Sequence, residues 1–548
     1  MEQKHKEWLN YLPLIAVIIV IFYLVNPLFF QHTFYPSSPS NLLANDAYAH
    51  LAYINDVIEV GNYNHESQFY VGFSGDQVSP REPPLMLFYV AFIKNYLGIP
   101  SYAAAQFGLL LGIVLAISIL YVLIKKYSLS WALGFLPATL FLFTFPFIAG
   151  ITWGFWKAYF MYFILATALI FFLTELNKSR AALLVVVLSA LILASPALLM
   201  FFLFLLFLKL LLEWPKLKQN FFTLLVTGLV TLTITIHYFL NYSVARTEGG
   251  TETKFLETLG IIGHYNLYAA NPYASHFGWV WYIALIGFAY GIFWLVQNFK
   301  EKESYKYRLF TLSSYFFAIF LLPAVGITRI YQFRLVWPLF LALSVGLVIY
   351  LLVTLLKKKV AVSGTLLAAG ISLVLFLILF FTLSFPTTNY SITSPEQWEA
   401  YTYLHDQTPK DATLLLIDPI MSQNSVALMA NRKIHYFDAE RFAKMVAENK
   451  TLLNYPSWYY CAYPEKSREG FKIYSTLDLK KKCEDAREKI VPLCAFDYLF
   501  MNKQFSSQQQ IPLVQEFLSS INQSNWEKIK DSQQVLLLKN NKVCVGEF

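Results

Sequence analysis

Charge is scarce in this chain. Lys, Arg, Asp and Glu make up 14% of its 548 residues, where an ordinary soluble domain carries roughly 25%. From Leu12 to Phe385 long apolar runs recur with no charge in them, and 57% of the whole is hydrophobic. That excludes a plain water-soluble globule. The N-terminus lacks the short apolar core and small-x-small site of a cleaved signal peptide, so the run Tyr11–Phe30 reads as a retained first span. No internal repeat is visible. The net charge of +8 is scattered through short connections rather than gathered in a patch, which makes it a topology signal and not a nucleic-acid footprint. Cysteine is rarer still: Cys461, Cys483, Cys494 and Cys544 all lie beyond the apolar part.

Each apolar run near 20 residues can cross a ~30 Å hydrocarbon core as a helix. About eleven such runs are present, at 11–30, 102–124, 131–149, 157–174, 181–195, 197–213, 221–240, 278–298, 308–325, 333–356 and 364–385. With the N-terminus inside, every second connection should be rich in Lys and Arg. The connections that qualify hold Lys125 and Lys126, Lys178 and Arg180, Lys216 and Lys218, the run Lys300–Arg308, and Lys357–Lys359. The apolar piece Leu85–Tyr96 is too short to span and is interrupted by Lys94, so it reads as an interfacial or re-entrant helix in the first outer loop. Counting it as a span would put Lys357–Lys359 outside.

After Pro386 the polar residues return. The expected organisation is therefore mostly α: a polytopic transmembrane helical domain, 1–386, with a first outer loop at 31–101 that carries amphipathic helices. A small α/β extracytoplasmic domain, 387–548, follows. In it the pattern predicts helices near 395–406, 439–449 and 510–521 and strands at Thr413–Ile417, Tyr498–Met501 and Gln534–Leu538. An even number of cysteines confined to one outer domain fits one or two disulfides, with three pairings open if all four join.

The first outer loop carries the chemistry. In Asn45-Asp-Ala-Tyr-Ala-His50 and the residues up to Gly61, helical spacing puts Leu51, Ile54, Val57 and Ile58 on an apolar side, with Asp46 and His50 one turn apart on another. This predicts an amphipathic helix on the outer membrane surface. Spacing alone leaves Asp46 two roles, helix cap or general base.

That run, just after a first span, resembles the aspartate motif of C-type (GT-C) membrane glycosyltransferases and is most similar to that of prokaryotic oligosaccharyltransferase catalytic subunits. The similarity continues in order through Pro83-Pro84-Leu85, Ala149-Gly150, and a short loop with Arg329 and Arg334 that enters a span through Pro338. It ends at Pro395–Leu404 and Thr408–Ile417, which resemble the start of that family's outer domain. Two departures stand out. Ala149–Lys157 contains no Asp or Glu where the family has a second acidic, cation-binding motif, and the Trp-Trp-Asp peptide-recognition motif is absent.

The resemblance implies a lipid-phosphate-dependent hexosyl transfer. Its donor is a polyprenyl-phosphate-linked sugar at the outer face, its acceptor a protein, glycan or lipid, and it proceeds with inversion. Asp46 is the catalytic base, Arg329, Arg334 and Lys157 are donor-phosphate cations, and His50, Glu248 and Glu252 are accessory. Lys157 equally fits a lysine snorkelling from a span boundary. No cofactor is required on this reading; a divalent cation such as Mg or Mn, if used, would have Asp46 as its one evident carboxylate. Three alternatives share the architecture: a divergent metal-dependent oligosaccharyltransferase acting on Asn, a transporter or flippase, and an inactive scaffold.

Overall fold

The structure is a computed structural model. It describes residues 8–29, 84–99, 101–144, 178–194, 196–212, 221–236, 278–321, 337–385, 394–418, 432–438, 452–456, 488–503 and 525–544, with shorter pieces at 47, 50–51, 54–55, 57–58, 162, 169–173 and 430. The apolar runs fold as helices. In chain order they are α1 (Leu12–Phe29), α2 (Pro84–Leu97), α3 (Ser101–Lys125), α4 (Leu129–Ala138), α5 (Lys178–Ala194), α6 (Pro196–Leu212), α7 (Phe221–Ile236), α8 (Val280–Gln297), α9 (Tyr305–Leu321), α10 (Trp337–Leu356) and α11 (Gly364–Thr382). Among the described residues five helices are long and apolar enough to cross a membrane: Trp8–Val25, Ser101–Lys125, Val280–Gln297, Pro338–Leu356 and Gly364–Thr382. Of the run 157–174, only Tyr162 and residues 169–173 are described, in helical conformation.

Small residues let the helices approach. A Cβ added at Gly287 would lie 2.1 Å from the Ser344 carbonyl oxygen, and one at Gly291 would lie 2.6 Å from Ser314 Oγ. This small-xxx-small pair on α8 therefore seats α9 and α10 against it, the close-packing device of helices in lipid. Gly346 of α10 meets Trp131 and Phe135 of α4, and the Trp131 indole N–H donates to the Leu343 carbonyl at 3.0 Å. Pro137 lacks the N–H that an interior helical turn uses, and α4 passes directly into a 3-10 turn at Thr139–Phe143.

The basic connections gather at one end of the bundle. Lys125 lies 3.5 Å from the Tyr11 ring centroid, and Tyr121 donates to the Asn10 carbonyl, which joins the end of α3 to the start of α1. Tyr305 at the start of α9 donates to the Leu123 carbonyl at 2.6 Å. Lys306 stacks over Trp294 near the end of α8, 4.5 Å from its centroid. Tyr127 and Tyr350 share a hydrogen bond of 3.0 Å, which brings the late turns of α10, and with them Lys357–Lys359, to the same end. Three of the connections that the charge pattern assigned to one side thus meet in space, and the one holding Lys216 and Lys218 lies outside the described residues. α11 starts there and ends at the opposite side.

The short helix α2 folds back along α3. Tyr89 donates to the Gly108 carbonyl at 3.2 Å, and a Cβ at Gly108 would meet Ile93 Cδ1 at 2.7 Å. Gly98, at φ 64°, lies in the turn between them. Tyr89 is about 12 Å down the axis from Leu97 and Gly108 about 10 Å from Ser101. Two helices crossing steeply at that turn would hold these residues well apart, so α2 runs beside α3. Its 14 residues cover about 21 Å, short of a crossing. Of the interfacial and re-entrant placements, this geometry fits the re-entrant one.

Beyond α11, Ser394 and Gln397 form a capping box with Pro395 at the first turn of α12 (Pro395–Gln407). The strands are β1 (Thr413–Asp418), β2 (Lys433–Asp438), β3 (Leu452–Pro456), β4 (Glu488–Pro492), β5 (Tyr498–Asn502), β6 (Trp526–Asp531) and β7 (Val535–Asn540). Five of them form a sheet in the order β2-β1-β5-β7-β6, parallel from β2 to β5 and antiparallel beyond; β3 and β4 pair separately. Leu414, Leu416, Tyr498, Phe500, Val535 and Leu537 pack with Ala400, Tyr401 and Leu404 of α12 on one face. Leu415, Ile417, Leu499, Met501, Leu536 and Leu538 are buried on the other, as a two-sided sheet requires. The expected helix 395–406 and strands near 413, 498 and 534 are all present. Strands β2, β3, β4 and β6 were not anticipated, and the expected helices at 439–449 and 510–521 lie outside the described residues.

Candidate functional site

The segment that opens with Asn45-Asp46 is helical where it is described, and one stripe of it is buried. Ala47, His50, Leu51, Ile54 and Val57 recur at helical steps of three and four, and all five are buried. Ala47, Leu51 and Ile54 belong to the main helical core. The apolar side thus packs into the protein rather than onto lipid headgroups. His50 shares that side: at 6% exposure it is enclosed with Leu51, not displayed on a separate polar face. The reason is periodicity, since residues three and four apart from Ala47 and Ile54 fall on one stripe.

A hydrogen bond of 3.3 Å from Lys94 Nζ to Asn55 Oδ1 ties this segment to α2. Lys94 lies one turn before Gly98, at the end of the bundle away from Lys125 and Lys357–Lys359. The aspartate-bearing segment is therefore anchored at the end opposite the basic connections, beside the α2–α3 hairpin.

Of the other residues singled out from sequence, Asp46, Lys157, Arg329, Arg334, Glu248, Glu252, Cys461 and Cys483 lie outside the described residues. The remaining cysteines, Cys494 and Cys544, are joined, with their Cα atoms 5.3 Å apart. Among the described residues no group of three or more His, Cys, Asp or Glu is placed to hold a metal ion.

Two buried cations were not anticipated. Lys209 of α6 donates to the Phe171 carbonyl, and Arg308 of α9 donates to the Leu173 carbonyl at 3.2 Å. Lys209 is 6% exposed and Arg308 3%. Both donate to backbone carbonyls within the helical stretch 169–173. This pulls three helices together at the basic end. The signal available in sequence was Lys209 itself, a lone charge inside an apolar run.

In the sheet region, Arg432 is a third buried cation. It donates to the carbonyls of His405 at 2.6 Å, Thr408 at 2.7 Å and Ala430 at 3.4 Å, and to Thr408 Oγ1 at 2.9 Å, which satisfies the end of α12. Burial pulls its guanidinium below the usual arginine range, and burial likewise raises the Tyr498 phenol. Asp531 is held below the ordinary aspartate value, first by its hydrogen bond from Lys503 and also by Lys528. Arg432 caps α12, Asp531 pairs with Lys503 and Lys528, and Tyr498 packs in the core of the sheet region.

No family model matches this chain, and no curated protein matches it. Solved structures do. The archaeal oligosaccharyltransferase AglB from Archaeoglobus fulgidus, in complex with an inhibitory peptide and a dolichol-phosphate, overlaps at a TM-score of 0.45 with 13% identity, over 93% of this chain and 71% of that one. The same enzyme tethered to an acceptor peptide gives 0.46 and 13%, over 95% and 72%. ArnT from Cupriavidus metallidurans bound to undecaprenyl phosphate gives 0.48 and 10%, over 97% and 98%. Likeness of this degree decides nothing about chemistry, which rests on the residues.

Proposed function

We propose that this protein is an integral membrane glycosyltransferase of the C type, working at the end of the bundle where the 47–58 segment is anchored. The basic end faces the cytoplasm, by the bias of Lys and Arg toward inner loops. The sheet region, reached from the far end of α11, then lies outside. The Cys494–Cys544 bridge fits that oxidising side.

The observation that carries the reading is the seat of the aspartate segment. A motif of the form Asn-Asp-x-Tyr-x-His belongs to a segment whose described residues are helical and buried against the bundle at the end away from the basic connections, where a base serving an outer-leaflet lipid substrate belongs. α10 begins at Trp337 on that same side.

The reaction balances without a general acid. An acceptor hydroxyl attacks the anomeric carbon of a polyprenyl-phosphate sugar as its proton passes to the Asp46 carboxylate. The bond from that carbon to the phosphate oxygen breaks, and the lipid phosphate departs as an anion. Attack opposite the leaving group inverts the anomeric centre. Arg334, Arg329 and Lys157 are the cations suited to the departing phosphate, the arginines through their bidentate geometry. No step is assigned to a metal, because Ala149–Lys157 contributes no carboxylate and hard cations bind through several oxygen ligands.

The test is transfer from a labelled polyprenyl-phosphate monosaccharide by the purified full chain. Release of polyprenyl phosphate that survives excess chelator is the expected result. No turnover of any such donor would point to a transporter or an inactive scaffold, and activity lost on chelation would point to the metal-dependent, Asn-modifying chemistry instead.

A further inference from the structure

α11 is the least enclosed of the five long apolar helices, with 22% of its apolar window buried against 67% for α10. Exposed apolar side chains on a spanning helix are ordinary. Two features of its first half are not. Val362, Leu366, Leu367, Gly370, Ile371 and Val374 line a groove of 410 Å³. Its notch is Gly370, where an added Cβ would find nothing within 4 Å. Glycine weakens a helix interior relative to alanine, and among the described residues no neighbouring helix uses the space it leaves.

The second feature is charge. Lys357, Lys358 and Lys359 stand exposed immediately before the groove, and none of them pairs with a carboxylate among the described residues. Lys357 extends along the start of α11, its Cδ 3.6 Å from the position of a Cβ at Gly364. Ser363 caps the helix by accepting from the Leu366 N–H at 3.3 Å, and the positive end of α11 points to the same place. An apolar slot therefore opens at one end onto three cations and a helix N-terminus.

Length chooses the occupant. Val362 to Val374 spans about 18 Å of helix, close to the half-thickness of a ~30 Å hydrocarbon core. A partner spanning helix would need a contact stripe through the whole core; an acyl chain from one leaflet needs half of it. We propose that this groove is a binding site for an anionic phospholipid of the leaflet on the lysine side, its chain lying over Gly370 and its phosphate held by Lys357–Lys359. The site is at the opposite end from the aspartate segment, so it stands whatever chemistry that end performs.

Native mass spectrometry of the full chain in detergent tests this, with palmitoyl-oleoyl phosphatidylglycerol titrated against palmitoyl-oleoyl phosphatidylcholine. Wild type should bind the anionic lipid about tenfold more tightly, since each lysine near an anionic headgroup contributes measurably. The triple variant K357Q/K358Q/K359Q should lose that preference, and G370L, whose side chain has room to enter the groove, should lose binding of both lipids. K126Q/K300Q/K302Q also removes three cations from the same end and should bind as wild type does. Equal loss in that control would show bulk surface charge and overturn the site. Unchanged binding by G370L, or displacement of the lipid by inorganic phosphate at matched concentration, would overturn the groove's part in it.

Discussion

The contact between α4 and α10 makes the sharpest demand on sequence, and Gly346→Ala tests it. A Cβ at Gly346 would stand 2.8 Å from Trp131 Cδ1, 2.9 Å from the Phe135 backbone nitrogen and 2.9 Å from the Trp131 carbonyl oxygen. Two of those three atoms are helix backbone, which cannot yield singly, so the helices must part by something over half an ångström. Overpacking of this kind costs about 1–3 kcal/mol. Parting also stretches the 3.0 Å bond from the Trp131 indole to the Leu343 carbonyl, and a buried donor left unmet costs about 1–3 kcal/mol more. Alanine returns about 1 kcal/mol of helix propensity, which leaves a net loss near 3 kcal/mol. Gly370→Ala is the matched control. It gains the same propensity and meets no atom, so it should stabilise by up to about 1 kcal/mol. Thermal unfolding of the full chain in a fixed detergent, followed by tryptophan emission, compares the two. If G346A and G370A melt together, helix contact at Gly346 is not what holds α4 to α10.

Other outcomes follow from single contacts. R432M should raise amide exchange through α12 and β2 by one to two orders of magnitude, because three carbonyls lose a buried donor worth about 1 kcal/mol each; unchanged protection would make the cap dispensable. The Asp531 carboxyl is held below its ordinary value, so the stability it contributes is present above about pH 4 and is lost as pH falls through the folded-state value. K503M should therefore blunt the acid sensitivity of the sheet region below about pH 4, and an acid profile identical to wild type would contradict the assignment. Cys494 and Cys544 close a loop of sequence separation 50, for which chain entropy gives about 4 kcal/mol. C494S/C544S should lower the melting temperature of the sheet region without lowering the amount of protein in the membrane, and equal melting would deny the bridge a stabilising part.

Much of the helical architecture was legible because lipid imposes length and charge rules that a sequence states openly. Lys125, Lys306 and Lys357–Lys359 fall at one end of the bundle as the alternation of connections required. The path of α2 was not legible. Its length excluded a crossing, but only the fit of Tyr89 and Ile93 against Gly108 shows it lying along α3. His50 was placed on a polar side because imidazole is polar; packing put it in the stripe of Ala47 and Ile54 instead. Lys209 and Arg308 donate to carbonyls of a third helical stretch, and which carbonyls they reach is a tertiary matter with no local signature. In the sheet, β1 and β5 announced themselves as apolar runs. β6, whose residues are all exposed or half-buried, carries the weak pattern of an edge strand and passed unnoticed.

The central claim is that Asp46 is the base of a sugar transfer, and Asp46→Asn tests it most directly. The substitution keeps size and hydrogen bonding while removing basicity, and loss of a general base costs about 10²–10⁴-fold. Transfer from a polyprenyl-phosphate sugar, measured per molecule of protein in the membrane, should fall by that factor with expression unchanged. Transfer at the wild-type rate by D46N would contradict the account.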